Sequence, residues 1–184
     1  MIYRTCHLYG RHINPNKKSL FEKLQTAVTS TDIKIFDNYL DLSSFTKMQY
    51  SILNNQDFPW NYNAYIVSPG DKRALDRHQF THVFFQKSHQ ETSKSIHYPA
   101  LSDLIDKINP SDLMRVKANL GIKTSEHIEG GFHTDTPLKH NTAIFYLNTN
   151  NGYTKFKDGT VVDTIANRLV VFDSNLLHSG FSQT

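Results

Sequence analysis

Apolar residues recur at helical spacing in the first part of the chain and mostly at every second position in the last part. In "NKKSLFEKLQTAVTS" (16–30), Leu20, Leu24 and Val28 fall on one helical face. Residues 32–40 alternate, with Ile33 and Ile35 in step with Asp37, and read as a strand. "DLSSFTKMQYSILNN" (41–55) offers Asp41 or Ser43 as a cap and puts Phe45, Met48 and Ile52 on one face, which predicts a second helix. A strand is expected over 58–73, closing in a Ser-Pro-Gly turn, and another over 80–86. Within 93–110, Leu101, Leu104 and Ile108 predict a helix that stops before Pro110. Residues 1–15 show no clear period.

From residue 113 onward the chain breaks into short alternating runs: "LMRVKANL", "EGGFHTD", "NTAIFYLNT", "YTKF", "TVVDTI", "RLVVFD" and "LLHSGF". Asn151-Gly152 and Asp158-Gly159 between them are strong hairpin signals. Helices first and antiparallel strands after predict an α+β, mainly β, protein with helices packed on one side of a β-sandwich or barrel.

The chain has 184 residues, enough for one domain. Apolar residues make up 38% and charged residues 20%, so a packed core is expected and wholesale disorder is not. Twelve Phe and nine Tyr agree with a sheet-rich fold. The net charge is only +3, and no basic run exceeds Lys17-Lys18. Nucleic acid is therefore not favoured as a partner. A single cysteine, Cys6, allows no disulfide within the chain and points to a reducing compartment. No secretory signal and no membrane-length apolar window is seen, so the expected location is cytoplasmic, without a membrane partner.

The chemistry concentrates in "GGFHTDTP" (130–137). In a strand, residues i and i+2 share a face, so His133 and Asp135 project together. Gly130 and Gly131 allow close backbone approach or a bulge before them, and Pro137 marks the strand's end. One imidazole nitrogen and one carboxylate oxygen form a two-ligand unit. His178 in "NLLHSGF" is the natural third ligand from a distant strand. Two histidines and a carboxylate on one side of a metal leave positions open, a pattern suited to non-haem Fe(II). The competing reading is histidines satisfied by hydrogen bonds, at the surface or in the core.

The run "GGFHTDTP…NTAIFYLNTNNGYTKFKDG…NRLVVFDSNLLHSG" resembles the iron- and 2-oxoglutarate-dependent oxygenases, and within them the prolyl-hydroxylase-like branch of viral and marine microbial type. The likeness spans 113–184; 32–112 is a looser match to helical and strand support, and 1–31 stands as an N-terminal extension. It implies a double-stranded β-helix, or jelly-roll, core with N-terminal supporting helices in a single domain. It implies Fe(II) held by His133, Asp135 and His178, with 2-oxoglutarate as cosubstrate and O₂ as oxidant. The product pair would be succinate and CO₂, with hydroxylation of a C–H bond in a protein or peptide, prolyl in this branch, or else in a small molecule. Tyr146 matches the tyrosine that bonds the far carboxylate of 2-oxoglutarate. Ile144 and Thr142 share its face and should line the same pocket.

Arg115, Lys117 and Asn119 share one face of "LMRVKANL" and line either the site or a solvated sheet face. Lys117 and Asn119 are candidates for cosubstrate binding. The resemblance also implies a final strand with a basic residue beyond the distal histidine, which these 184 residues do not include. The expectation is a longer natural chain, replacement of that cation by Lys117, Arg115 or Arg168, or iron binding with poor use of 2-oxoglutarate. Arg168 otherwise reads as an outward-facing salt-bridge residue. His78, His82, His89 and His97 read as surface or interfacial histidines, and His127 and His140 as loop residues. Trp60 reads as a core anchor or a groove residue. Two rival functions stand beside the dioxygenase: a non-catalytic jelly-roll binding module and a zinc hydrolase using the same three ligands. The oligomeric state is left open.

Overall fold

A computed structural model describes residues 3–11, 33–67, 78–88, 90–136 and 140–184. The expected helix over 16–30, the Ser-Pro-Gly turn at 68–70, His89 and Pro137 lie outside the described residues. The regular secondary structure is mainly antiparallel sheet. The strands are β1 (Tyr3–Arg11), β2 (Lys34–Phe36), β3 (Asn61–Asn63), β4 (Gln79–Lys87), β5 (Thr92–Lys94), β6 (Asp112–Gly121), β7 (Asn141–Tyr146), β8 (Tyr153–Phe156), β9 (Val161–Asp163), β10 (Arg168–Asp173) and β11 (His178–Phe181). The larger sheet runs β2-β10-β7-β1-β6-β4-β3, with β5 paired to β4. The smaller sheet runs β11-β8-β9.

Two helices cover the larger sheet. In α1 (Leu42–Gln49), Asp41 is the cap: its side chain accepts from Ser44 N at 3.0 Å. A π-helical turn, Tyr50–Asn54, extends it. Helix α2 (Ser102–Ile108) ends at Asn109, which takes a left-handed conformation (φ 48°) just before Pro110. Phe45, Met48, Ile52, Leu101, Leu104 and Ile108 are buried, as their spacing requires.

Period-two alternation gives the larger sheet two different faces. Cys6, Leu8, Val116, Ala118, Ala143, Phe145, Leu169 and Val171 join the helices in one core cluster. Phe45 meets Phe145 edge-on at 6.0 Å. Each such fully buried large side chain contributes about 1.5–3 kcal/mol. On the other face, Ile144, Tyr146, Val170 and Phe172 pack with Phe156 and Val162 of the smaller sheet. Beside that second cluster the two sheets diverge around a cavity.

Four expectations need correction. Residues 3–11, read as patternless and placed in an extension, form the strand between β6 and β7. Their apolar period is weak because one face meets the helices and the other meets the cavity. Among the described residues 58–67 only Asn61–Asn63 pairs, with β4, while Phe58 turns into the core. Asn151-Gly152 does not join paired strands: β7 pairs with β1 and β10, and the chain there crosses to the smaller sheet. Asp158-Gly159 does close the β8–β9 hairpin, with Phe156 N donating to Thr160 O at 2.8 Å. Finally, "EGGFHTD" is not a regular strand; it touches β11 through single bridges at Glu129 and His133. Among the described residues, no helix is long and apolar enough to cross a membrane.

Asn167 anchors the segment leading into α1. It sits at φ 62°, accepts from Leu40 N at 2.8 Å and donates to Leu40 O at 2.8 Å, all buried. Replacing it by Ala strands both backbone groups and places a Cβ residue in a left-handed site. Asn167→Ala should lower unfolding stability by about 2–4 kcal/mol, read from the midpoint of urea denaturation.

Candidate metal centre

His133 and His178 come together because their backbones pair. His133 N donates to His178 O at 3.0 Å, and His178 N donates to His133 O at 3.0 Å. Residues opposed in this way point their side chains to the same face. The imidazole centroids are 4.6 Å apart. The two preceding glycines make the approach feasible. A Cβ on Gly130 would stand 3.0 Å from Gly180 O, and Gly131 has φ 102°.

Asp135 reaches the same point from the end of the segment. Its N–H donates to Ser174 O at 3.1 Å. Its Oδ2 accepts from Thr142 Oγ1 at 2.6 Å, and Ser174 Oγ lies 3.1 Å from that hydroxyl. Oδ1 is 3.8 Å from His133 Nε2, and Oδ2 is 3.6 Å from His178 Nε2. One ligand atom from each residue lies within 4.8 Å of the other two. An ion about 2.1 Å from each donor fits that spacing.

The protonation state agrees. His133 Nδ1 faces Gly131 O at 3.0 Å, and His178 Nδ1 faces Leu176 O at 2.9 Å. A carbonyl only accepts, so each Nδ1 carries the proton and each Nε2 offers its lone pair to the centre. His178 Nε2 is buried without a hydrogen-bond partner. Burial holds the His178 imidazole below its ordinary pKa, against the opposing pull of the Asp135 carboxylate. Phe172 and Phe156 flank that ring at 4.8 and 5.9 Å. The side chains of Asp135 and His178 are 3% and 2% exposed, whereas His133 is 28% exposed, so the centre opens on one side. The donor set, the orphaned nitrogen and the fixed tautomers fit a divalent metal.

The open side is a cavity of about 300 Å³ between the two sheets. Its floor follows the strand register. Arg115, Tyr9 and Thr142 form one row across β6, β1 and β7; Lys117, His7 and Ile144 form the next; Asn119, Thr5 and Tyr146 the third. Arg115, Lys117, Asn119, His7 and Ile144 all line the cavity. The face of β6 is thus a cavity wall and not a solvated sheet face. Burial, reinforced by Arg115, pushes the Lys117 ammonium down to about 8. Burial pushes His7 down to about 3, with Asp135 opposing it, so its imidazole is neutral.

No protein-family model, curated protein or solved structure matches the chain. What the centre can do is carried by its own geometry.

Other residues move from their expected places. Thr142 is spent on Asp135 and acts on the centre through that carboxylate. Tyr146 is fully buried, and its hydroxyl meets Thr154 Oγ1 at 2.8 Å; Thr154, not Tyr146, lines the cavity. Arg168 is bound to Asp37 by two contacts of 2.6 and 3.0 Å and is the salt-bridge residue its position suggested. His82 is a core residue, not a surface one: it lies 2.9 Å from both Pro59 O and Ser95 Oγ, against Phe58 and Phe84. His140 is buried, not an exposed loop residue, because its carbonyl accepts from Ser174 N beside Asp135. His127 is exposed and His78 lines the cavity. Trp60 packs on Phe58 at the edge of the core. His7 carried no sequence signal; the missing clue was that its strand has a polar face.

Thr142→Val removes the hydrogen bond that aims Asp135 while keeping the side chain's size. Metal affinity should fall about 10–100-fold, measured by calorimetric titration of the metal-free protein.

Proposed function

We propose that this protein is an Fe(II)- and 2-oxoglutarate-dependent dioxygenase that hydroxylates a C–H bond, built on a double-stranded β-helix core. The observation that carries this reading is the two-histidine, one-carboxylate centre opening onto a cavity whose floor bears cations. Two antiparallel sheets facing across that cavity, with helices behind the larger one, support the fold assignment.

His133, Asp135 and His178 would hold the iron. Bound there, iron would supply oxidation by O₂: one oxygen atom would go into succinate as the cosubstrate loses CO₂, and the other would enter the C–H bond. Lys117 takes the far carboxylate of 2-oxoglutarate. It lines the same cavity as the three ligands and feels the Asp135 carboxylate, which places its ammonium within reach of a cosubstrate chelated there. Among the described residues, Lys117 has no ion-pair partner of its own, and a carboxylate there satisfies a buried charge. Asn119 Oδ1 is buried without a hydrogen-bond partner beside it. Ile144 and Ile128 form apolar wall and limit water in the cavity. Tyr146 braces that wall through Thr154.

Fe(II) added anaerobically and followed by 2-oxoglutarate should produce a visible metal-to-ligand charge-transfer band. His133→Ala and Asp135→Ala should remove the band and aerobic succinate formation together. Iron binding without a band, or zinc binding with hydrolytic activity, overturns the assignment.

Lys117 also sets a pH dependence. Its ammonium is charged below about 8 and neutral above, so the far carboxylate loses its partner as pH rises. The KM for 2-oxoglutarate should stay level below that pH and climb above it. Lys117→Met should raise KM throughout and flatten the profile; a mutant that keeps the wild-type slope rules Lys117 out as the anchor.

A further inference from the structure

The cavity floor carries more positive charge than one cosubstrate carboxylate uses. Arg115 lies one strand repeat from Lys117, about 7 Å along β6. Both project into the cavity, and they are close enough that Arg115 depresses the Lys117 ammonium. Among the described residues, Arg115 has no hydrogen bond and no ion pair, and its Nε is buried without a partner. A guanidinium stays charged at any working pH, so an unsatisfied one at a cavity wall is costly unless a ligand completes it. Among the described residues, Asp135 is the only carboxylate lining the cavity, and it faces the two histidines.

The register places the two cations in different rows. Arg115 shares its row with Thr142, while Lys117 lies in the next. Lys117 and its row neighbour His7 both feel the Asp135 carboxylate, so Lys117 is the cation facing the metal ligands and the far carboxylate of 2-oxoglutarate falls to it, which leaves Arg115, one repeat along β6, without an anion. The charges point the same way. A divalent ion, Arg115 and Lys117 against Asp135 leave three positive charges, and 2-oxoglutarate neutralises two.

We propose that Arg115 recognises an anionic group on the substrate itself, gripping a carboxylate side-on through Nε–H and a terminal N–H. This rests on the dioxygenase reading for the term "substrate"; the anion site stands on the unpaired guanidinium alone. A buried Nε–H without a partner is one half of that side-on fork. A cavity of about 300 Å³ admits a small carboxylic acid or one acidic side chain, at the low end of ligand-site sizes. Ile66, Ile128 and Phe181 contribute apolar wall that suits the carbon chain carrying the anion.

The test is calorimetric titration of the Mn(II)-loaded protein in chloride buffer, with and without saturating 2-oxoglutarate. The probes are N-acetylglycine, an N-acetylaspartate amide carrying only its side-chain carboxylate, inorganic phosphate and neutral N-acetylglycinamide. An anionic probe should bind alongside 2-oxoglutarate while the neutral one does not. N-acetylglycine alone indicates a free acid, the aspartate amide an acidic side chain, and phosphate alone a phosphorylated substrate in place of a carboxylate. Arg115→Gln should weaken the anion about tenfold or more and leave 2-oxoglutarate binding in place, with Arg115→Lys intermediate. Equal binding of charged and neutral probes, or a loss of 2-oxoglutarate affinity in Arg115→Gln without any second anion, overturns the proposal. Failure of 2-oxoglutarate to bind the wild-type protein overturns the dioxygenase reading instead, and the anion titration without it still judges Arg115.

Discussion

Two reciprocal backbone hydrogen bonds between His133 and His178 are the constraint on which the centre depends. They join a segment that is barely a strand to the edge of the smaller sheet. Because the bonded residues oppose each other directly, both imidazoles must emerge on one side. The side chains then inherit their remaining freedom from backbone carbonyls two residues away, which each Nδ1 grips. Asp135 is aimed from the larger sheet by Thr142 and Ser174. The three ligands are thus fixed by both sheets at once, and the metal would tie one sheet to the other.

The larger sheet separates the tasks of folding and chemistry. Its helix-side residues are apolar on every central strand, and that face holds most of the core. Its other face changes character along its width, from the Ile144, Tyr146, Val170 and Phe172 cluster to Arg115, Lys117 and Asn119. A charged row can be held there because the opposite face of the same strands is packed. Cys6 shows the contrast with His7, its neighbour in sequence. Cys6 is buried among apolar groups with its thiol pushed up to about 12, while His7 faces the cavity.

Legibility in the sequence followed the same division. Strands with an apolar face on both sides, β7 and β10, stand out as dense apolar runs, α1 by its spacing and its Asp41 cap, and α2 by its spacing and the proline that follows it. The histidine-aspartate pair and its distant partner were legible because ligand chemistry needs few residue types. β1 was not, because a strand that packs on one face and binds on the other has no strong apolar signature. Asn151-Gly152 misled for a different reason. Turn chemistry reports a local reversal and cannot say whether the flanking strands pair with each other or diverge to separate sheets. Thr142 shares the face of Ile144 but is fully buried and does not line the cavity, because its hydroxyl is bound to Asp135, a pairing that strand periodicity alone does not reveal.

The position of β1 bears on how the chain reaches this state. Its neighbours are β6 and β7, so Thr5 must find both Asn119 and Tyr146. During synthesis β1 emerges long before either of them and must wait, with its backbone groups unpaired. Closing such large loops is slow, and strands awaiting distant partners are exposed to wrong ones. The His7 side of the cavity can therefore form only after β6 and β7 exist, which makes the binding floor one of the last parts of the molecule to assemble.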